Sequence, residues 1–120
     1  MNGIKLNKEI IDKVLVIFLP RVLGHVNSID VGQEIVITIR KEPHELRILF
    51  DCKDLTQINN SGLRVFVITL QKLKQSDRTL NLCNLSGPVL KFFEEAGVVR
   101  EFQIFDTQEA ALEGLKIGGI

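Results

Sequence analysis

The chain of 120 residues is long enough for one domain with a single core and too short for two. Fifteen basic and fifteen acidic residues cancel, so nothing in the composition indicates a nucleic-acid or anionic-membrane partner, either of which favours a basic excess. Apolar residues make up 45% of the chain, which excludes a disordered protein.

The N-terminal residues and the two cysteines indicate the cellular compartment. Residues 1–13 carry dispersed charges and no continuous apolar run, so we expect neither a signal peptide nor a membrane insertion. Cys52 and Cys83 lack the C-x-x-C or Cys/His spacing of a metal or redox site and are predicted to be buried free thiols. The expectation is a cytoplasmic protein without metal or cofactor.

Short apolar runs predict the strands, and a turn at residues 12–13 separates the first two. In chain order the predicted strands cover residues 4–10, 14–19, 46–52, 79–83 and 101–105. Residues 21–27 are predicted to form a loop and residues 42–45 a turn.

Residues 28–41 fit two kinds of element. Val31, Ile35 and Ile39 are spaced by four, which suits a helix, whereas the β-branched run through residues 35–39 equally suits a strand. The pattern alone leaves this choice open.

The clearest helix is predicted from Ser61 to about residue 76. Leu63, Phe66 and Leu70 recur at the spacing that lines one helix face. The residues before it are polar: Asn59 or Asn60 can act as the N-cap, and Gly62 lets another backbone approach closely. Free N–H groups at a helix start can stabilise a phosphate, but every helix needs a cap, so the local sequence by itself favours a plain helix start.

Two further helices follow along the chain. Ser86 is predicted to cap the first of them, and Gly97 is predicted to end it in a left-handed conformation. The second is predicted over residues 106–115, with Asp106 and Glu109 as a capping box.

The predicted order, two strands followed by alternating helices and strands, indicates an α/β layered sheet. A receiver domain of a two-component system has this length and carries a phospho-accepting Asp at the end of its third strand, near the position of Asp51. Receivers also need an acidic pair after the first strand and a Lys after the last. The sequence has neither, so we set this interpretation aside.

From Asp54 onward the chain resembles the STAS domain of bacterial anti-sigma-factor antagonists. The matching residues are Asp54-Leu55-Thr56, Ser61-Gly62-Leu63, and Val89 with Phe93 and Gly97. The resemblance implies a STAS-like layered α/β fold, with a mixed, mainly parallel sheet of about five strands and about four helices. It favours a helix for residues 28–41, one STAS domain over residues 4–117, and a frayed tail at residues 118–120.

The resemblance implies a binding protein and not an enzyme. Members of the family bind an anti-sigma factor with a histidine-kinase-like ATPase fold and thereby release the sigma factor, which regulates transcription. The kinase phosphorylates the first Ser of a D-S-S-G motif, and the added charge breaks the complex until a metal-dependent phosphatase removes it.

This chain departs from the motif at its most important positions. Asn59 replaces the Asp, Asn60 replaces the phospho-acceptor Ser, and only the second Ser survives, as Ser61, before Gly62. An amide cannot be phosphorylated by this route, so the switch is predicted to be absent at Asn60. Either the protein binds its partner constitutively, or control has moved to Ser61 or to another residue.

A partner-binding surface is predicted along the central helix and the early loop. Val65 and Ile68 are expected to face away from the buried stripe, and exposed apolar residues beside basic ones often mark an interface. The predicted residues are Arg64, Val65, Ile68 and Lys72, with His25 and Asn27 of the loop. The alternative function is a STAS subunit of a lipid-transport or transporter complex that binds an ATPase partner, a setting in which the Ser switch is often missing.

Overall fold

The computed structural model describes residues 4–116 as a sheet with helices on both faces. The strands are β1 Lys8–Ile11, β2 Val14–Phe18, β3 Val22–Leu23, β4 Arg47–Asp51, β5 Gln57–Ile58, β6 Leu80–Cys83 and β7 Gln103–Phe105. The helices are α1 Ser28–Lys41, α2 Asn60–Lys74, α3 Gly87–Glu95 and α4 Gln108–Gly114, and a short 3-10 turn, Val99–Glu101, precedes β7. The tail predicted at residues 118–120 lies outside the described residues.

The main sheet has five strands in the order β1-β2-β4-β6-β7. The first pair is antiparallel and the other neighbours are parallel, which confirms the predicted mixed, mainly parallel sheet with four helices. Asp12 and Lys13 join β1 to β2 with φ angles of 48° and 65°, the left-handed pair that a tight type I′ hairpin requires.

Alternating side chains of the central strands divide the core in two. Leu15, Ile48 and Leu82 face the side covered by α1, α2 and α3, whereas Val16 and Leu49 face α4. The first side holds the larger cluster, in which the rings of Phe50, Phe66, Phe93 and Phe102 meet edge to face with centroids 5.1 to 6.3 Å apart.

The ambiguous residues 28–41 form a helix, as the resemblance implied. Val31, Ile35 and Thr38 are buried at helical spacing against the sheet. Burial of this face outweighs the preference of β-branched residues for strands, which is a weak effect per residue.

The start of the last helix was predicted wrongly. Thr107, and not Asp106, is the N-cap, because its hydroxyl accepts a hydrogen bond from the Ala110 backbone N–H at 3.0 Å. The predicted capping box of Asp106 and Glu109 is therefore absent. The starts and ends proposed for α3 are confirmed: Ser86 caps it, and Gly97 follows it with φ at 75°.

A candidate partner-binding site at the start of helix α2

A two-stranded parallel sheet, formed by β3 and β5, positions the candidate site. Val22 pairs with Gln57 and Leu23 with Ile58. The sequence predicted only a loop and a polar segment here, because strands of two residues carry no readable periodicity. This small sheet brings the loop after β3 beside the first turn of α2, which follows β5 directly.

Gly62 fits only because it has no side chain. A Cβ at this position would overlap the carbonyl oxygen of Leu23 and would lie 2.9 Å from Cγ1 of Ile58. The predicted close approach of a second backbone is thus observed, and that backbone belongs to β3.

The choice between the two asparagines is settled by their hydrogen bonds. Asn59 is the N-cap, because its Oδ1 accepts from the Gly62 backbone N–H at 3.2 Å. Asn60 is the first residue of the helix and is exposed. Its side chain makes no hydrogen bond to any other residue within 4–116.

The loop between β3 and α1 is held by Asn27. Its Oδ1 accepts from the Gly24 N–H at 3.0 Å, and its Nδ2 donates to the Val22 carbonyl at 2.8 Å. Within this ordered loop, His25 lies with Nδ1 3.4 Å from the Ser61 hydroxyl oxygen. Asn27 therefore acts within its own loop, whereas His25 reaches the start of α2.

The exposure expected for Val65 is wrong. Val65 is only 6% exposed, because α1 packs against this side of α2 and encloses it. Ile68, in contrast, is 42% exposed, and Arg64 and Lys72 are exposed as expected. Along α2, all four residues and Ser61 line one groove shared with α1.

Exposed apolar side chains are concentrated around this site. Of the large apolar residues exposed in the described part of the chain, every one except Ile10 lies on β3, the loop after it, α1 or α2: Val22, Val26, Ile29, Ile37 and Ile68. Val26 is 98% exposed at the loop tip. Val26, Ile29 and Ile37 were not among the residues predicted for this surface. Once residues 28–41 are taken as a helix, Ile29 and Ile37 fall outside the buried stripe and could have been found.

The polar centre at the carboxyl end of β4 is structural. Asp51 is buried and accepts hydrogen bonds at 3.0 Å from the Lys53 N–H, the Asn84 amide and the Gln108 amide. It thus ties together two loops and α4. A phospho-accepting Asp must be accessible, so this burial supports setting the receiver interpretation aside.

The two cysteines are free and buried, as predicted. Burial raises the pKa of the Cys83 thiol to about 12, and the neighbouring Asp51 carboxylate adds to the effect. Burial is also the main cause that raises the pKa of Cys52 well above its ordinary value. Both thiols are therefore protonated near neutral pH and are poor nucleophiles.

Together, the five-stranded mixed sheet and the glycine-containing start of α2 define a STAS domain. The STAS domain family model matches residues 5–111, and the chain belongs to this family. No helix among residues 4–116 has the length and apolar character needed to cross a membrane.

The particular relatives are anti-sigma factor antagonists by name. The chain is 30% identical to BtrV of Bordetella bronchiseptica, named an anti-sigma factor antagonist, over 93% of this chain and 95% of that protein. A crystal structure described as an anti-sigma factor antagonist of Thermotoga maritima superposes with a TM-score of 0.83 at 20% identity, covering 93% of this chain and 95% of that one. Unphosphorylated SpoIIAA superposes with a TM-score of 0.70 at 20% identity over 97% and 100% of the two chains.

Proposed function

We propose that this protein is an anti-sigma-factor antagonist that acts by reversible binding to an anti-sigma factor with a histidine-kinase-like ATPase fold. The observation that carries the proposal is the gathering of exposed apolar side chains around the α2 start, the position of the family's switch motif. Exposed apolar residues grouped on one face mark an interaction surface more than a catalytic one. The name of the relative BtrV supports the same role.

The proposed docking surface has three parts. Asn59, Asn60, Ser61 and Gly62 form the start of α2, and Arg64, Ile68 and Lys72 continue along its exposed side, with Val65 at the base. His25 and Val26 stand at the loop tip, and Asn27 contributes by holding that loop in place. We place the interaction in the cytoplasm, where buried free thiols are stable.

Asn60 removes the usual switch from this surface. Its exposed amide can donate and accept hydrogen bonds in an interface, but it cannot carry a phosphate. Binding is then constitutive, or it is controlled at Ser61. Ser61 is the second residue of α2, where free N–H groups stabilise an added phosphate, while its charge would oppose an apolar partner. A metal-dependent phosphatase would be needed only in the second case.

Affinity capture of the tagged full chain from extracts of its own organism tests the function directly. Recovery of a histidine-kinase-like anti-sigma factor, identified by mass spectrometry and reproduced with the purified pair, is the expected result. Recovery of a transporter or its ATPase in its place would overturn the proposal and favour a transport-complex subunit.

A charged residue at the centre of the surface should weaken that complex. Ile68→Glu is expected to lower affinity for the captured partner by at least about tenfold, or about 1.4 kcal/mol, because it buries a carboxylate in an apolar contact. Ile10→Glu is the matched control, since Ile10 is 53% exposed but lies on β1. Equal affinities for the two variants would remove α2 from the interface.

Mass spectrometry tests separately whether Ser61 is phosphorylated. After incubation of the protein with the captured kinase and ATP, intact mass and peptide mapping report whether a phosphate has been added. An unmodified chain supports constitutive binding. A phosphate that is found on Ser61 and is absent from the Ser61→Ala variant would overturn constitutive binding and favour control at Ser61.

A further inference from the structure

The groove between α1 and α2 is apolar inside. It has a volume of about 500 Å³ and stays open to solvent along its length. Gly32 and Val65 lie at its base, and the exposed side chains of Ile29, Ile37 and Ile68 border it. Such a shape suits a row of apolar side chains from a partner.

The base of the groove includes Gly32, which adds no side chain to it, and Thr69, whose hydroxyl is already paired. A Cβ at Gly32 would lie 3.9 Å from Cγ2 of Val65, so a larger side chain there would begin to fill the space. Thr69 lines the same base, and its hydroxyl donates to the Val65 carbonyl at 2.7 Å. The base therefore offers no unpaired polar group from these residues.

The charges around the groove have one sign. Arg40, Arg64 and Lys72 line it, and none of the described residues that line it is acidic; Asp30 and Glu34 of α1 are not among them. No ion pair within residues 4–116 includes any of these three cations. Arg40 and Lys72 also line the adjoining hollow of about 400 Å³, whose acidic lining residue is Glu42, and the Glu42 carboxylate lies 3.8 Å from Nζ of Lys8. An acidic occupant would complement the three cations of the groove, which have no ion-pair partner among residues 4–116.

We propose that this groove binds an amphipathic helix of the partner whose apolar stripe is flanked by Asp and Glu. This inference rests on the function proposed above, because it states how the partner occupies the same face. Apolar residues at i, i+3 or i+4, and i+7 enter between α1 and α2, while carboxylates meet Arg64 at one end and Arg40 with Lys72 at the other. The 14 residues of α1 span about 21 Å, which matches a partner helix of about four turns.

The open form of the groove favours a helix over a free fatty acid. Small-ligand sites bury most of their ligand, whereas this groove leaves one side in water. A helix covers that side with its own backbone and presents its polar face to solvent.

The test uses two synthetic fluorescent peptides of about four helical turns that share one leucine stripe. One carries Glu beside the stripe and its twin carries Lys. Fluorescence anisotropy with the full chain is expected to show binding of the Glu peptide, at least about tenfold weaker binding of the Lys peptide, and loss of affinity as salt rises.

Charge reversal sharpens the test. The double variant Arg40→Glu with Lys72→Glu should exchange the preference, losing the Glu peptide and gaining the Lys peptide, which also shows that the variant is folded. Lys91→Glu on α3 is the matched control and should leave both affinities unchanged. Equal binding of the two peptides, or a preference that the double variant does not alter, would overturn the proposal. Dodecanoate provides a further check. If it displaces the Glu peptide at a concentration lower than the peptide needs for its own binding, the proposal is overturned in favour of a lipid site.

The failure of this proposal is distinguishable from failure of the function. An anti-sigma factor that is captured equally by the wild type and by the double variant would overturn groove docking and leave the antagonist role intact. Groove binding of the Glu peptide with no anti-sigma factor captured would overturn the antagonist role and support the docking mode alone.

Discussion

Two helices of this protein begin with nearly the same four residues but differ in their caps and surroundings. Residues 59–62 read Asn-Asn-Ser-Gly at the start of α2, and residues 84–87 read Asn-Leu-Ser-Gly at the start of α3. In α2 the first letter is the cap, because Asn59 accepts from the Gly62 N–H. In α3 the third letter is the cap, because Ser86 accepts from the Val89 N–H at 3.4 Å. The helix therefore begins at the second residue of the motif in α2, Asn60, and at the fourth in α3, Gly87.

The neighbours of the two starts explain the difference. The β3 backbone lies against Gly62, whereas a Cβ at Gly87 would meet nothing within 4 Å. The start of α2 packs against β3, and the loop after β3 carries the exposed Val26 and His25. The start of α3 is an ordinary capped helix end. A short motif thus becomes part of a candidate site through the segment that packs against it.

The glycines give the largest expected contrast. Gly62→Ala should lower the free energy of unfolding by about 2 to 3 kcal/mol, because its Cβ forces β3 away. Gly87→Ala should be neutral or stabilise by up to about 1 kcal/mol, because alanine favours the helix and has room. Urea unfolding followed by far-UV circular dichroism measures both, since the chain has no Trp or Tyr for fluorescence. Equal losses in the two variants would refute the role given to β3.

The thiols of Cys52 and Cys83, which lie before the starts of α2 and α3, should affect stability at alkaline pH in the same direction. Cys52 follows β4 and Cys83 ends β6, and burial raises the pKa of both in the folded state, that of Cys83 to about 12. The folded protein then holds protons that the unfolded chain releases above about pH 9, so stability is full below that pH and falls as pH rises towards 12. The slope is at most about 1.4 kcal/mol per pH unit for each thiol.

Urea midpoints measured at several pH values above 8 test this expectation. Cys83→Ala should reduce the slope by about half, whatever its effect on stability at neutral pH. An unchanged slope would mean that other groups cause the alkaline loss and that Cys83 does not titrate late.

Removing the caps Asn59 and Ser86 should give the smallest difference in stability between the two helix starts. The same variants should differ in partner binding. Asn59→Ala and Ser86→Ala should each cost about 1 kcal/mol, because each leaves one helix N–H without its partner. Only Asn59→Ala is expected to weaken capture of the anti-sigma factor, because only α2 lies in the proposed surface. Loss of capture in Ser86→Ala at unchanged folding would extend the surface to α3.

Most of the fold could be predicted from the sequence because its signals are local. The buried runs that became β2, β4 and β6, the hairpin turn and the start of α3 depend on patterns within a few residues. Residues 28–41 needed the resemblance, since β-branched side chains in that segment favoured a strand as much as a helix.

The site could be predicted only in part because its geometry is non-local. Gly62, a cap at Asn59 or Asn60, and the exposed Ile68 were predicted, but the pairing of β3 with β5 joins segments 35 residues apart through two residues each. Val65 was misassigned because α2 is covered on two sides, by the sheet and by α1, so one apolar stripe does not describe its buried surface.

The exposure of Asn60 has an evolutionary consequence. A residue whose side chain has no partner within residues 4–116 can change without disturbing the fold, whereas Asn59 and Gly62 beside it are fixed by a cap and a close contact. Each Asn codon differs from one Ser codon by a single base. A lineage could therefore gain or lose a phosphorylatable residue here in one mutational step, with the scaffold unchanged and only the regulation of the proposed complex altered.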